Sequence, residues 1–454
     1  MTEASTTALF GTDGIRGVAG EHPLDATTVY RVGFSLTEHL CGLEPKPHIL
    51  IGRDTRISGP WLEAILCRAI ADAGGVAERC GVVSTPAVSL LTHKTGATAG
   101  IMISASHNPY QDNGIKIFAS TGMKFTDAVE EELEARIASS TRVPAAVPSP
   151  ESLDGLVAVV PEFQELYRRH LVESVPARVR LDGMRLVVDC AHGSQSAFAP
   201  GLLRELGADV RPLHCAPDGR NINRDAGALH LEKLQVEVKA GGADLGIAFD
   251  GDADRAMFVD RQGRVRDGDD ILFLLASHLD FDGAPRVVVG TVMANLGLAL
   301  GLEKLGFRLE RTAVGDRYVL EEMLRQGAIL GGEQSGHVIL TRLARTGDGL
   351  LTALEVLAVL GQQGRDLAAL CAGLTRYPQV LVNVWVREKV PFSEIPGLAE
   401  AERAARAALG PRSRVLLRYS GTERLARVMV EGEDPAAVRA AADRIAAAFA
   451  PLAP

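Results

Sequence analysis

A serine at the end of an apolar strand is the first candidate for covalent chemistry. Gly100-Ile-Met-Ile-Ser-Ala-Ser-His-Asn-Pro109 runs from a strand-like segment into a small polar loop and delivers Ser106 there, at the kind of strand end where open α/β sheets keep their function. Asp112-Asn113-Gly114 reads as a tight turn, because Asn-Gly tolerates positive φ, and Ile115 to Phe118 reads as the returning strand. Period-2 alternation sets Lys116 opposite Ile115 and Ile117, on a face from which it can fold back beside Ser106. A hydroxyl near an ammonium suits a site that handles phosphate; on this segment alone, a turn serine with a surface lysine stays open. His107 reads as a loop-shaping or phosphate-contacting residue rather than a triad base, since neighbours on an extended chain point to opposite sides.

A second strand, Leu245 to Phe249, hands over to carboxylates at i, i+2 and i+4: Asp250, Asp252 and Asp254. Three anions this close repel unless a cation sits between them. All-oxygen ligation from a short loop that leaves positions for water and phosphate oxygens suits Mg²⁺. An EF-hand fails on spacing, because Arg255 and Arg261 stand where glycine and glutamate are required. A solvated acidic turn is the alternative. In Gly331-Gly-Glu-Gln-Ser-Gly-His337, Glu333 and Ser335 offer hydrogen bonds to sugar hydroxyls or an amine; taken alone, a glycine-rich turn with no ligand is the first reading of this loop. In Leu417 to Arg427, Arg418, Ser420, Thr422 and Arg427 surround Gly421. Guanidinium forks, hydroxyls and freed backbone N–H groups make a nest for a phosphate monoester, against the plainer reading of a connection with solvent arginines. Arg16, in the glycine-rich Phe10 to Gly17, adds a further cation. No P-loop and no dinucleotide fingerprint occurs.

The elements that must carry these loops repeat. Ile49 to Arg56, Leu186 to Gly193 and Val287 to Ala294 each write an apolar run followed by a polar turn and a helix-like stretch. Each is followed by a second buried strand ending in one of the loops: Ile101 to Asn108, Leu245 to Arg255, Ile329 to His337. Three related α/β domains with mainly parallel mixed sheets follow, then a smaller C-terminal α+β domain. A Ser/Pro/Ala-rich linker is expected from Ala138 to Pro161 and a further break near Gly364 to Pro378. The expected domains are 1–150, carrying Ser106; 151–255, carrying the acidic loop; 256–370, carrying Glu333 and Ser335; and 371–454, carrying the arginine loop.

Composition bounds the rest. With 454 residues, 46% hydrophobic and 23% charged, the chain is an ordinary globular protein of several domains. A net charge of −9 argues against nucleic acid as the main partner. The N-terminus lacks the pattern of a signal peptide and no apolar run is long enough for a bilayer, so a cytoplasmic protein with no membrane partner is expected. Six scattered cysteines without a Cys-x-x-Cys pair favour reduced, mostly buried thiols.

Together the four loops resemble those of the α-D-phosphohexomutase superfamily over almost the whole chain. Ser-His-Asn-Pro is similar to its phosphoserine loop, Asp-Gly-Asp-Ala-Asp-Arg to its metal loop, Gly-Glu-Gln-Ser-Gly-His to its sugar loop and Arg-Tyr-Ser-Gly-Thr-Glu to its phosphate loop, in family order. The resemblance implies four domains around a central cleft. It implies a phosphoryl group on Ser106; Mg²⁺ held by Asp250, Asp252, Asp254 and the seryl phosphate; Glu333 and Ser335 reading the sugar; and Arg418, Ser420, Gly421, Thr422 and Arg427 holding the phosphate that does not react. Arg16 and Lys116 match positions lining the transfer site, with His107 beside them. Phe10 to Gly17, the Glu-Gln-Ser form of the sugar loop, Pro217 to Asn223 and Val314 to Val319 point to the amino-sugar branch. The implied reaction interconverts glucosamine 6-phosphate and glucosamine 1-phosphate, with a hexosamine 1,6-bisphosphate as intermediate and activator. A phosphomannomutase or phosphoglucomutase, a Mg²⁺-dependent sugar phosphatase and an inactive sugar-phosphate binder are the competing readings. The general base, Lys116 included, and the oligomeric state, a homodimer included, stay open. One departure is Arg424, where the superfamily usually has proline.

Overall fold

Residues 9–11, 13–150, 158–174, 181–420 and 423–453 are described by a computed structural model. The first sheet contains β1 (Ile15–Val18), β2 (His48–Arg53), β3 (Val76–Val82), β4 (Ala99–Ile103) and β5 (Asp112–Ala119), in the order β1-β5-β4-β2-β3. The second contains β6 (Arg185–Asp189), β7 (Asp209–Leu213), β8 (Leu245–Phe249), β9 (Ala256–Asp260) and β10 (Val265–Arg266), in the order β10-β9-β8-β6-β7. The third contains β11 (Val287–Thr291), β12 (Arg308–Thr312), β13 (Leu330–Gly332) and β14 (Val338–Leu340), in the order β12-β11-β13-β14.

The repeat read from the sequence is a repeat of topology. In each sheet a central strand (β2, β6, β11) pairs in parallel with a loop-bearing strand (β4, β8, β13), which then pairs antiparallel with its successor (β5, β9, β14). The three candidate loops are thus the same connection in three sheets. β4, β8 and β13 are buried along their whole length, as strands covered on both faces must be. That burial explains their unbroken apolar runs. Helices flanking the strands are fixed by side-chain caps: Asp25 accepts from Thr27 and Thr28 N–H, Ser84 from Ala87 N–H, and Asp348 from Leu351 N–H.

Contacts divide the chain into two compact units. One runs up to Val292 and takes in Glu310–Cys371; the other joins Met293–Leu309 to the residues from Ala372 onward. The second unit holds an antiparallel sheet of β15 (Gln379–Trp385), β16 (Arg414–Tyr419) and β17 (Leu425–Glu431), ordered β15-β17-β16. Helices Leu398–Leu409 and Pro435–Ala447 complete this α+β design around Val428, Val430, Ala442 and Phe449.

Three expectations need correction or narrowing. Asn113-Gly114 is no turn: both lie inside β5, and Gly114 is required by close approach, since a Cβ there would sit 2.4 Å from the Ser104 carbonyl oxygen. The division at 255/256 cuts through a sheet, because β9 and β10 pair onto β8. The linker read from 138 is entered by helix Asp127–Ser139 at its start, and residues 151–157 of it lie outside the described residues. All six cysteines are free, and among the described residues no helix is long and apolar enough to cross a membrane.

Candidate active site

Ser106 follows β4 in a left-handed conformation, φ 51°, which a non-glycine residue adopts only when its surroundings enforce it. The enforcement is visible. Ser106 N–H donates to Ser104 Oγ at 3.0 Å, and Ser104 Oγ donates to Asp54 Oδ2 at 2.6 Å. The fully buried Arg56 pairs with Asp54 Oδ2 at 2.9 Å and donates to the carbonyls of Ser106 (3.1 Å), Asn108 (2.9 Å) and Pro109. Asn223 Nδ2 caps the same Ser106 and Asn108 carbonyls at 2.8 and 2.9 Å. The left-handed turn also brings His107 back beside its neighbour, Nδ1 lying 3.2 Å from Ser106 Oγ. The extended-chain expectation that the two side chains diverge is therefore wrong. Burial, then Arg255 and Arg16, push the His107 imidazole down to about 4, so it is neutral at physiological pH.

Ser106 Oγ donates to Asp250 Oδ2 at 2.7 Å, which joins the first loop to the second. Ligand oxygens of Asp250, Asp252 and Asp254 all lie within 4.8 Å of one another, and all three residues are buried. Lys116, buried and on β5, reaches Asp252 Oδ2 (3.0 Å), Asp13 Oδ2 (3.1 Å) and Asp254 Oδ2 (3.6 Å) rather than Ser106. Burial disfavours its charge, but those carboxylates outweigh it and hold the ammonium well above the usual lysine range. At Asp250 the balance reverses: burial and its neighbours Asp254 and Asp252 outweigh Arg255 and the Ser106 hydroxyl and push its carboxyl well up. Asp254 also suffers burial, yet Lys116, His337 and Arg255 hold it below the ordinary carboxylate range. Asp252 Oδ1 and Asp254 Oδ1 are buried without a hydrogen-bond partner. Surplus negative charge with orphaned oxygens is what a hard divalent cation satisfies, so the donor set fits Mg²⁺.

The acidic loop is held by its backbone. Ser194 N–H donates to the Gly251 carbonyl (2.8 Å), Thr85 N–H to that of Asp252 (2.9 Å) and Gly349 N–H to that of Ala253 (3.0 Å). Thr85 Oγ1 adds a bond to Asp252 Oδ2 at 2.5 Å.

The third loop meets the second through His337, whose Nδ1 faces Asp254 Oδ2 at 3.7 Å while Nε2 accepts from Gly347 N–H at 3.0 Å. Glu333 Oε1 accepts from Gly315 N–H at 3.2 Å, and Ser335 Oγ is buried without a partner. Arg16, half-buried, donates to the Ala105 carbonyl at 2.9 Å and pairs with Asp13. Lys124 bridges Asp13 (2.7 Å) and Asp316 (2.8 Å), tying the N-terminal glycine-rich segment to the segment after β12. Asp13, Asp54, Arg56, Lys124, Asn223, Asp316 and His337 are thus structural members of the site that the residue-by-residue reading did not single out. Asp13, Asn223, Asp316 and His337 lay in segments marked as distinctive; Lys124 had no signal.

In the second unit, Arg418 and Arg427 are directly opposite on β16 and β17. Burial and the facing Arg427 pull the Arg418 guanidinium below its ordinary range. Like charges paired across strands destabilise a sheet and favour an anion between them. Ser420 is buried and its carbonyl accepts from Lys389 Nζ at 2.6 Å. Gly421 and Thr422 lie outside the described residues. Arg424 is exposed, its carbonyl bonded to Val386 N–H at 2.9 Å.

The four-part organisation is matched by known proteins. Models of the phosphoglucomutase/phosphomannomutase α/β/α domains I, II and III match residues 7–143, 165–263 and 267–377, and that of the C-terminal domain matches 381–448. A phosphoglucosamine mutase of Solibacter usitatus is 49% identical, with 93% of this chain and 94% of the relative covered. One from Anaeromyxobacter dehalogenans is 45% identical, with 97% and 98% covered. Among solved structures, a phosphoglucomutase/phosphomannomutase family protein of Burkholderia thailandensis superposes with a TM-score of 0.80 at 24% identity, covering 97% of each chain. An Aspergillus fumigatus N-acetylphosphoglucosamine mutase, solved with GlcNAc-6P and magnesium, gives 0.69 at 20% identity, covering 97% of this chain and 95% of that one. Serine loop, acidic loop and glycine-rich loop converge on one set of contacts, and all four domain models match in order; the chain belongs to the phosphoglucomutase/phosphomannomutase family of phosphohexomutases.

Proposed function

We propose that this phosphohexomutase interconverts glucosamine 6-phosphate and glucosamine 1-phosphate, with Ser106 as the phosphoryl carrier. The observation that carries the reading is the seat of Ser106: a left-handed residue gripped through its carbonyl by buried Arg56, with Oγ 2.7 Å from the three-carboxylate cluster. The 45–49% identical relatives named phosphoglucosamine mutase support the amino sugar over a neutral hexose.

Phosphorylated Ser106 gives its phosphoryl group to the free hydroxyl of the substrate. The seryl O–P bond breaks as the sugar O–P bond forms, and the hydroxyl proton leaves to a base. The resulting 1,6-bisphosphate reorients and returns its original phosphoryl group to Ser106. Asp250, Asp252, Asp254 and the seryl phosphate would hold Mg²⁺, which when bound supplies charge neutralisation for the phosphoryl oxygens. Lys116 and Arg16 add positive charge, and neutral His107 flanks the serine oxygen; positioning and electrostatics do the work. Glu333 and Ser335 would read the sugar, the carboxylate suiting an amine. Arg418, Ser420 and Arg427, with Gly421 and Thr422 on the strength of the resemblance, would hold the idle phosphate.

The domains proposed follow the four sheets, with the second boundary moved from 255 to beyond β10. The proposed setting is the cytoplasm, upstream of UDP-N-acetylglucosamine, with a hexosamine 1,6-bisphosphate as activator and a homodimer to be weighed against a monomer by sedimentation. Intact mass before and after glucosamine 1,6-bisphosphate, followed by peptide mapping, should show one phosphoryl group gained at Ser106. Turnover of glucosamine, glucose and mannose 6-phosphates should favour the first. Equal or better turnover of the neutral sugars overturns the amino-sugar assignment, and net release of inorganic phosphate makes the protein a phosphatase.

A further inference from the structure

Helix Gly349–Gln363 is buried without a break from Gly349 to Leu360, and Glu355 is the only charged side chain on it. A carboxylate placed there must find a partner or give up its charge. Glu355 is 6% exposed and has no hydrogen bond or ion pair with any described residue. Burial alone pushes its carboxyl up to about 7, with no neighbouring charge to oppose it. Its oxygens are not among the polar atoms that lack both a partner and access to solvent. The surface they keep opens into a cavity of about 350 Å³ that Glu355 lines.

The cavity walls are otherwise aliphatic, from Leu279, Ile329, Leu340, Leu343, Ala358 and Val359. Three further charged or titratable residues line it, His278, Asp280 and Arg342. Arg342 is occupied elsewhere, because its two terminal nitrogens donate to the carbonyls of Asp280 and Asp282, each at 2.8 Å. His278 Nδ1 is likewise held by the Leu274 carbonyl at 2.9 Å. Exposed Asp280 adds a second carboxylate at the rim. A phosphate or sugar phosphate would therefore meet like charge. A divalent metal would find no second carboxylate beside Glu355, since among the described residues only Asp250, Asp252 and Asp254 cluster as metal ligands. An organic monocation satisfies both parts of the cavity. Its N–H groups pair the carboxylate in a charge-assisted hydrogen bond, and its carbon skeleton covers the aliphatic walls.

We propose that this cavity is a second ligand site, which binds a small organic cation, an ammonium or amidinium on an apolar body, with Glu355 as its counter-ion. A largely apolar cavity near 300 Å³ with one well-placed polar group is the form small-molecule sites take. The bound cation favours the ionised carboxylate, so Glu355 releases its proton to solvent when the site fills. The site does not depend on the reaction at Ser106.

The test is calorimetric titration of benzamidine into the full chain, with Mg²⁺ saturating so that the acidic loop does not compete for the probe. Benzamidine should bind with a dissociation constant on the order of 1 mM or tighter. Benzamide, its neutral isostere, should bind about tenfold more weakly, and Glu355→Gln, which keeps the shape and removes the charge, should cost benzamidine about as much. Affinity should rise about tenfold from pH 6 to pH 8 as Glu355 ionises. His278→Gln should keep that rise. Glucosamine 6-phosphate should not displace the probe. No readout requires turnover, so failure of the amino-sugar assignment leaves them standing. Benzamidine binding no tighter than benzamide, binding that survives Glu355→Gln, or displacement by glucosamine 6-phosphate would overturn the site; a pH dependence lost in His278→Gln would overturn Glu355 as the titrating counter-ion.

Discussion

Arg56 is the residue whose replacement tests the geometry of the serine loop most directly. It is 1% exposed, pairs with Asp54 at 2.9 Å and donates to the carbonyls of Ser106, Asn108 and Pro109. Arg56→Met removes the countercharge of a buried carboxylate, a change that costs about 3–5 kcal/mol. Asp54 keeps donors from the residue-56 amide and Ser104 Oγ, which points to the lower end. At about 2–4 °C per kcal/mol for a domain of roughly 150 residues, ~3 kcal/mol lowers the melting temperature by roughly 6–12 °C. Catalysis suffers separately. Holding Ser106 at φ 51° stores on the order of 1–3 kcal/mol, and a loop free to relax must recover that energy before transfer, lowering kcat about 5- to 150-fold. Arg56→Lys separates the effects: it restores a charge for Asp54 but lacks a fork that reaches three carbonyls, so stability should recover more than kcat. Melting curves and initial rates of purified variants decide the matter. Wild-type kcat in Arg56→Lys and Arg56→Met would show that the turn does not depend on the guanidinium, and the reasoning would fail.

Ser106→Ala should abolish nearly all turnover while sugar-phosphate affinity, measured by calorimetry, persists; Ser104→Ala, which loses the acceptor of Ser106 N–H, should cost about 0.5–1.5 kcal/mol, or roughly 2- to 12-fold in rate. A dead Ser104→Ala with an active Ser106→Ala would reverse the assignment. Asp252→Asn should weaken Mg²⁺ about tenfold or more and be partly rescued by added metal, and an unchanged metal dependence would count against the cation site. Arg418→Ala or Arg427→Ala should raise KM in both directions by the worth of a charge-assisted clamp, about 1.5–3 kcal/mol, while Ser106 is still phosphorylated by small donors. Glu355, buried on helix Gly349–Gln363, has its carboxyl pushed up to about 7 by burial alone. The folded chain therefore keeps this proton where the unfolded chain has released it, so its stabilisation is whole below about pH 4.5 and is lost as pH rises through 7. Glu355→Gln should raise the melting temperature at pH 8 and not at pH 4; equal effects at both would refute the assignment.

Much of the architecture was legible because it is local. Unbroken apolar runs mark β4 and β8 as doubly covered strands, and the loops that follow them carry Ser106 and the three aspartates where the sequence sets them. Contacts over long separations were not legible. Lys124 meets Asp316 across 192 positions, and nothing near Lys124 announces it. Backbone conformation misled twice: Asn113-Gly114 extends instead of turning because Gly114 lies against the Ser104 carbonyl, and His107 meets Ser106 because the serine is left-handed. Alternation sets Lys116 opposite Ile115 and Ile117 with Ser106 as its expected neighbour, but its ion-pair partners are carboxylates from the second sheet's loop and from Asp13.

The three amides that hold the acidic loop bear on how freely this chain can drift in sequence. An N–H group belongs to every residue type except proline, so mutation of a side chain cannot delete the donors at 85, 194 and 349. Position 194 can therefore exchange its side chain and still hold Gly251. Position 349 has no such latitude: a Cβ there would lie 2.4 Å from the Arg255 carbonyl oxygen, so any substitution displaces the loop it supports. Laboratory evolution for new sugar specificities should accordingly tolerate diversity at 194, reject proline at all three positions, and leave Gly349 untouched.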